Sequence, residues 1–356
     1  MICVPPRTLH PRERRSKRPD MDQRHLDIAR ARSQRRAAND VLTFQGLRAS
    51  SALELQSFDI DHFGESEKYA GASSMPLSAG ATAIMRARLG LPNLTLSLVK
   101  TFPRIIRGYQ LMNAVAVVVP MDDVSATRIN GQTIGSSVVI LKGQSDCLVY
   151  EPEGRLMAVV YFSSPEREPW AQLADGYYLL KPASDLLGSL RRSISTALET
   201  AAYDPDFFDG PTSRTAVEQS LLSTIDAAIR TSVNSGPAHS TADSYRRIVA
   251  EMEALIRNDL TIWHKTTEMA QRVGVSVRTL QSATQAICGM SPHRYSRVLR
   301  LWSVRKQLRI GPERRSVKAC AIAHGFWHLS EFAASYRAAF GELPSETLHR
   351  AMREAI

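Results

Sequence analysis

One pattern occurs twice in the last third of the chain and limits what that third can become: a short amphipathic helix, a glycine, and a second amphipathic helix. In TTEMAQRVGVSVRTLQSATQAICGMSP, beginning at Thr266, the spacing predicts a Thr-capped helix with Met269, Ala270 and Val273 inward. A turn follows at Gly274, and Ser276 caps a second helix built on Val277, Leu280 and Ile287. Some fifty residues later, SVKACAIAHG predicts a helix capped by Ser316 that buries Val317, Cys320 and Ala321 and stops at Gly325. The helix after it carries Leu329, Phe332, Tyr336, Ala339 and Phe340 at three- and four-residue steps, so these share a buried face. Gly341 ends it, and Leu343-Pro344-Ser345-Glu346 opens a shorter helix.

A helix, a glycine turn and a second helix is how a DNA-binding protein lays its second helix in the major groove. Helix pairs joined by glycine are also ordinary packing in all-α proteins, and repetition is what favours DNA. On a 100° projection the outer face of the first second-helix offers Arg278, Gln281, Ser282 and Gln285. The corresponding face of the other offers Ser330, Glu331, Ala334, Arg337 and Ala338. Between the two units SPHRYSRVLRLWSVRKQL predicts a Ser291-Pro292 helix start, with Tyr295, Val298, Leu299, Trp302 and Leu308 packing against both. Its other face is expected to carry Arg294, Arg297, Arg300, Arg305 and Lys306, either as a solvated face or as contacts to phosphates.

These residues resemble the C-terminal DNA-binding domain of the AraC/XylS family of bacterial transcription regulators. The match covers roughly Tyr245 to Arg350: Ala270, Gly274, Ser276, Leu280, Gly289, Ser291-Pro292, Tyr295, Arg300-Leu301, Leu308, Ala321, Gly325-Phe326, Phe332, Tyr336, Phe340-Gly341 and Pro344. GFWHLSEFAASYRAAFGELPSETL looks most similar to the XylS-like branch. The resemblance implies seven helices, with recognition helices after Ser276 and after His328 entering successive major grooves. There are departures. Ala283 and Thr284 stand where the family has a bulky apolar residue, and His328 where Ser or Asp is usual. Glu331 replaces what is often a basic residue. We expect it to support the helix start by reaching back to the cap's backbone N–H, with a minor part in readout. Accepting from a cytosine amino group, or repelling phosphates, are its other roles.

Charge is distributed as this reading requires. Residues 244–356 carry 18 Lys/Arg against 9 Asp/Glu, and residues 1–40 carry 11 against 5, so the stretch between is net negative in a chain of net charge +10. Residues 1–40 are Arg-, Pro- and Ser-rich and are expected to be a disordered basic tail, solvated or serving as an arm that touches DNA or RNA, unless translation starts at Met21. From about Val41 to Phe162 the period becomes two: LELQSFDI, ATAIMRARL, LTLSLVK, AVAVVV, ATRI, QTIG, SVVILKG and MAVVYF read as strands, and Asn130-Gly131 suits a two-residue hairpin. Many short strands indicate a sandwich or barrel. In the resembling family this place holds a cupin-like sensing domain, and the fold expected is α+β: a cupin-like barrel with amphipathic helices, then an all-α domain with two helix-turn-helix units.

Metal-dependent cupins use clustered histidines, and none occurs between His62 and His239. No Cys/His, Ser/His/Asp or Gly-rich phosphate pattern replaces them, so neither an enzyme nor a metal or other cofactor is expected. Cys3, Cys147, Cys288 and Cys320 are scattered and read as free thiols. The longest apolar run, LMNAVAVVVPM, is too short to span a bilayer, and a cytoplasmic protein is expected. A small-molecule effector would sit in an apolar lining with one or two cations; Arg104, Arg107 and Arg128 are the candidates, and each is otherwise an ordinary surface arginine.

SDLLGSLRRSISTALETA places Leu187, Leu190, Ile194 and Leu198 on one stripe, and TSRTAVEQSLLSTIDAAIRTSV places Val217, Leu221, Leu222, Ile225 and Ile229 on another. These helices either pack on the barrel or, as the family implies, pair two subunits of a homodimer. The expected organisation is a tail at 1–40, a sensing and dimerising domain at 41–231, a linker at 232–243 holding Gly236-Pro237, and a DNA reader at 244–356. The expected partners are promoter DNA, a second copy, a small effector and, for an activator, RNA polymerase. The alternative is a DNA-binding regulator without a small ligand, controlled by a protein partner or by abundance.

Overall fold

The computed structural model describes residues 44–59, 73–77, 83–123, 126–163, 173–235, 241–310 and 316–354. The expected N-terminal tail therefore lies outside the described residues. Among the described residues eleven strands form one antiparallel sheet: β1 (Leu53–Asp59), β2 (Ser73–Pro76), β3 (Ala83–Gly90), β4 (Leu94–Lys100), β5 (Arg104–Pro120), β6 (Arg128–Ile129), β7 (Gln132–Thr133), β8 (Val138–Glu151), β9 (Leu156–Phe162), β10 (Gly176–Lys181) and β11 (Val233–Ser235). The path runs β1-β3-β4-β9-β5-β8-β10-β11 and, among the described residues, does not close on itself. Nine helices follow or interleave: α1 (Ser184–Tyr203), α2 (Pro211–Arg230), α3 (Thr241–Asn258), α4 (Thr266–Val273), α5 (Val277–Cys288), α6 (Pro292–Arg309), α7 (Val317–Ala323), α8 (Leu329–Phe340) and α9 (Pro344–Glu354) among the described residues. The α+β class is as expected, and α3 to α9 are the seven helices that the resemblance implies.

The strands reflect their sequences. Leu94, Leu96 and Leu98 alternate along β4 and are buried, whereas Val115, Ala116, Val117 and Val119 of β5 are all buried, as a continuous apolar run covered on both faces should be. Arg104-Ile105-Ile106-Arg107 extends β5 upstream of the apolar run, and Cys147–Glu151 extends β8, because the two pair along most of their length. Their register shifts between Arg107 and Tyr109 and again between Gln110 and Val115, with Gly108 and Gly143 both at positive φ. Asn130 (φ 48°) and Gly131 (φ 81°) form the two-residue hairpin between β6 and β7.

The apolar stripe of α1 is spent inside the molecule and that of α2 only in part, Val217, Leu222 and Ile229 being half-buried. Leu187, Leu190, Ile194, Leu198, Leu221 and Ile225 are buried, and α1 packs on α2, β1 and β3. Polar ties fix the pair. Glu218 of α2 accepts from the backbone N–H (2.8 Å) and side-chain amide (2.7 Å) of Asn93, and Arg191 of α1 donates to the carbonyls of Pro120 (2.7 Å) and Asp122 (2.8 Å). Of the expected linker, Val233–Ser235 pairs with β10 and α3 begins at Thr241, while residues 236–240 lie outside the described set. One apolar cluster continues from Ile105, Leu148 and Leu179 of the sheet to Ile248, Met252 and Ile287 of the helices.

Candidate nucleic-acid interface

The first helix pair is built as its sequence implies. Gly274 ends α4 with φ 74°, its N–H donating to the Gln271 carbonyl (3.1 Å) and that of Val275 to Ala270 (2.9 Å). Ser276 Oγ then accepts from the Thr279 N–H (3.0 Å) and starts α5. The expected threonine cap of α4 is not used: Lys265 is the N-cap residue, without a side-chain cap bond. Ala283 and Thr284 are fully buried, and the Thr284 hydroxyl donates to the Leu280 carbonyl (2.7 Å). Arg278, Gln281, Ser282 and Gln285 are all exposed along the opposite face.

The second pair depends on a brace from outside it. Ser316 caps α7 through the Ala319 N–H (3.1 Å), and Gly325 turns the chain at φ 80°. A Cβ on Gly325 would lie 2.7 Å from Trp263 Nε1 and 2.8 Å from the Thr261 carbonyl, so the site excludes a side chain twice over. Trp263 Nε1–H donates to the Gly325 carbonyl (2.7 Å), and its ring meets Phe326 edge-on at 5.8 Å. Ser330, Glu331, Ala334 and Arg337 are exposed on α8. His328 is the N-cap residue but makes no side-chain cap bond, and among the described residues the Glu331 carboxylate has no hydrogen-bond partner, so its expected reach back to the cap is not formed.

α6 packs against α5, α7, α8 and α9, and here the exposed basic face is smaller than expected. Arg294 and Arg297 are exposed, Arg297 donating to Ser335 Oγ. Arg300 and Arg305 are corrections, being buried. The Arg300 guanidinium donates to the carbonyls of Leu260 (3.0 Å) and Ile262 and to Ser296 Oγ, and stacks 4.6 Å above the Trp263 ring. Burial lowers its pKa to about 10. Arg305 pairs with Glu342 (2.7 Å) and lies 4.8 Å above the Phe340 ring. Arg350 donates to both oxygens of Glu342 (2.8 Å each), and Thr347 Oγ1 adds a fourth bond (2.7 Å). Burial would raise the Glu342 pKa, but the Arg350 and Thr347 hydrogen bonds and the Arg305 charge hold it below its ordinary value. Both arginines thus position the helices that carry the exposed faces.

The three arginines expected to hold an effector are engaged elsewhere. Arg104 is buried and pairs with Glu151 at 2.7 Å. Arg107 pairs with Glu253 of α3. Arg128 Nη1 donates to the carbonyls of Gln285 (3.2 Å) and Ala286 (3.3 Å), where a cation complements the C-terminal end of α5. Nearby, Tyr150 of β8 presses on Gly289, the left-handed C-cap of α5; a Cβ there would lie 2.2 Å from the tyrosine ring. Leu77, Pro103, Tyr150, Pro152, Gly289, Met290 and Arg294 line an open cavity of about 180 Å³ beside it. The sheet therefore holds α5 by its far end and leaves its exposed face uncovered.

Cys147, Cys288 and Cys320 are buried, and none of the three forms a disulfide among the described residues. Among the described residues no cluster of His, Cys, Asp or Glu is arranged to hold a metal, and no helix is long and apolar enough to cross a membrane.

Residues 269–350 match a family described as a helix-turn-helix domain. The XylDLEGF operon transcriptional activator of Pseudomonas putida is 33% identical over 112 residues, covering 31% of this chain and 34% of that protein. A probable thc operon regulatory protein of Rhodococcus erythropolis is 38% identical over 104 residues, covering 29% and 30%. The chain thus spans about a third of the length of these relatives. Among solved structures, a probable AraC family transcriptional regulator from Rhodopseudomonas palustris is 33% identical, covering 30% of this chain and 97% of that one, with a TM-score of 0.28. The matched segment contains both glycine turns and both exposed helix faces, and the relatives carrying it are transcription regulators and not enzymes. The C-terminal region of this chain belongs with the helix-turn-helix DNA-binding domains of the AraC/XylS family.

Proposed function

We propose that the whole chain is a sequence-specific transcription regulator in which α5 and α8 read bases and the β-rich half governs how α5 is presented. The observation that carries this reading is the pair of exposed faces, Arg278, Gln281, Ser282 and Gln285 on α5 and Ser330, Glu331, Ala334 and Arg337 on α8, each behind a left-handed glycine turn. Of the basic face of α6, Arg294, Arg297 and Lys306 remain exposed to contact phosphate.

Control by a small effector in the β-rich half belongs to this proposal, with side chains other than Arg104, Arg107 and Arg128 doing the binding. Control by a protein partner is the second reading. The contacts of Arg107 with α3 and Arg128 with α5 favour either version in which the sheet acts directly on the first helix pair. A homodimer and, for an activator, RNA polymerase complete the proposed partners.

Selection of bound sites from random DNA by the full chain tests the reading. The expected outcome is an enriched sequence with two short blocks about one helical turn apart, bound with affinity that falls steeply as salt rises. Enrichment of no sequence, with weak binding to all DNA, would reject it.

A further inference from the structure

The two exposed helix faces differ in chemistry. On α5 the face is made of hydrogen-bonding groups, Arg278, Gln281, Ser282 and Gln285. On α8 the polar Ser330, Glu331 and Arg337 are interleaved with Ala334 and Ala338, and the exposed residues leading into the helix are Trp327 and His328. Trp327 is 65% exposed and Leu329 37% exposed, whereas Trp302 is buried and Trp263 half-buried. The backbone that presents Trp327 is fixed. Gly325 is bonded to Trp263, the Phe326 N–H donates to the Ala321 carbonyl (3.0 Å), and the Phe326 ring packs on Phe332 at 5.0 Å. The neighbouring backbone fixes where the indole emerges, and an indole left in water forfeits the burial that tryptophan usually obtains, which a bound surface would restore.

We propose that the second helix pair recognises thymine through its 5-methyl group, with Trp327 as the apolar contact and Leu329 beside it. This rests on the DNA-binding reading above. Trp327 lies immediately before His328, the N-cap of α8, and the N-terminal residues of a recognition helix are the ones that reach base edges. The domain that presents it is net basic: residues 244–356 carry 18 Lys/Arg against 9 Asp/Glu, and Lys318 and Arg337 are exposed on α7 and α8, with Glu331 the exposed acid of the same helix start. An apolar group on a net-basic domain fits an apolar group set in a polyanion, and the thymine methyl is what the major groove offers of that kind. The first pair would then discriminate by hydrogen-bond forks and the second by methyl contact.

The test uses the full chain and its selected DNA site, with each thymine of one block replaced in turn by uracil, which removes only the methyl. One replacement should weaken binding by the native chain about tenfold. Trp327→Ala should bind thymine and uracil versions of that site equally while keeping its preference in the other block, and Trp327→Phe should restore part of the difference. Native binding indifferent to uracil at every position would overturn the inference alone, as would a Trp327→Ala chain that still distinguishes the two bases to the same degree. A Trp327→Ala chain with unchanged DNA binding but lost transcriptional output would overturn it in favour of a protein contact. Lack of any selective DNA binding by the native chain would remove the function reading and the inference together.

Discussion

Arg107 of β5 is paired with Glu253 of α3, a carboxylate only 1% exposed that also accepts from Tyr295 Oη (2.8 Å) and Arg257 Nε (2.7 Å). One acid thus joins a sheet strand to two helices of the DNA-binding half. Arg107→Ala removes the sheet's share and leaves the other two partners. It should lower the stability of the full chain by about 1–3 kcal/mol and raise hydrogen exchange in α3. Unchanged denaturation together with unchanged exchange would mean that the pair is not a strut between the halves.

Base reading and phosphate contact should separate by mutation. Arg278→Ala should relax preference at one base pair at a cost of about 1–3 kcal/mol, since an arginine fork discriminates guanine. Gln281→Ala should do the same at a neighbouring position for adenine. Arg297→Ala should instead weaken all sequences alike and lower the salt slope by about one. Binding isotherms on a matched and a mismatched site check this, and an equal loss on both for Arg278→Ala would place the reading face elsewhere.

Arg300 should behave as a structural residue. Lysine keeps the charge but cannot reproduce bonds to two carbonyls and a hydroxyl together with stacking on Trp263, so Arg300→Lys should cost about 3 kcal/mol. Because Trp263 braces Gly325, recognition of the second half-site should weaken more than that of the first. Thermal denaturation and half-site affinities measure both, and a variant of native stability would refute the assignment.

Glu342 sets a pH dependence. Its carboxyl is held below the ordinary carboxylate value, so its contribution is complete above that value and is lost as pH falls through the lower, native one. Glu342→Gln should therefore destabilise the chain by about 2–3 kcal/mol at pH 7, and the difference should shrink below about pH 4. Urea midpoints at the two pH values decide it; a constant difference would rule out titration of this group as the source.

Much of the helical half was legible because its signals are local. Ser276, Ser291 and Ser316 bond three residues ahead, and Gly274, Gly325 and Gly341 occupy the left-handed region where their helices end. Arg300 and Arg305 were misplaced because burial of a cation is decided by partners some forty residues away, such as Leu260 and Glu342, which no projection of one helix reveals. Arg107 and Arg128 escaped for the same reason. β2, β10 and β11 carry short segments whose strand state depends on a neighbour to pair with. The exposure of the faces proposed to read bases was legible from periodicity, whereas that of Trp327 was not: it precedes the helix, and a 100° projection does not reach it.

The contact of Tyr150 with Gly289 bears on how such a protein is assembled over evolutionary time. Exchange of sensing halves between regulators is simplest when the two parts touch through adaptable surfaces. Here a tyrosine of one half fills the space that a side chain would need at the turn of the other. The left-handed turn asks for glycine at 289 whatever stands at 150, so a grafted β-rich half need only bring a side chain at 150 that fits against bare backbone.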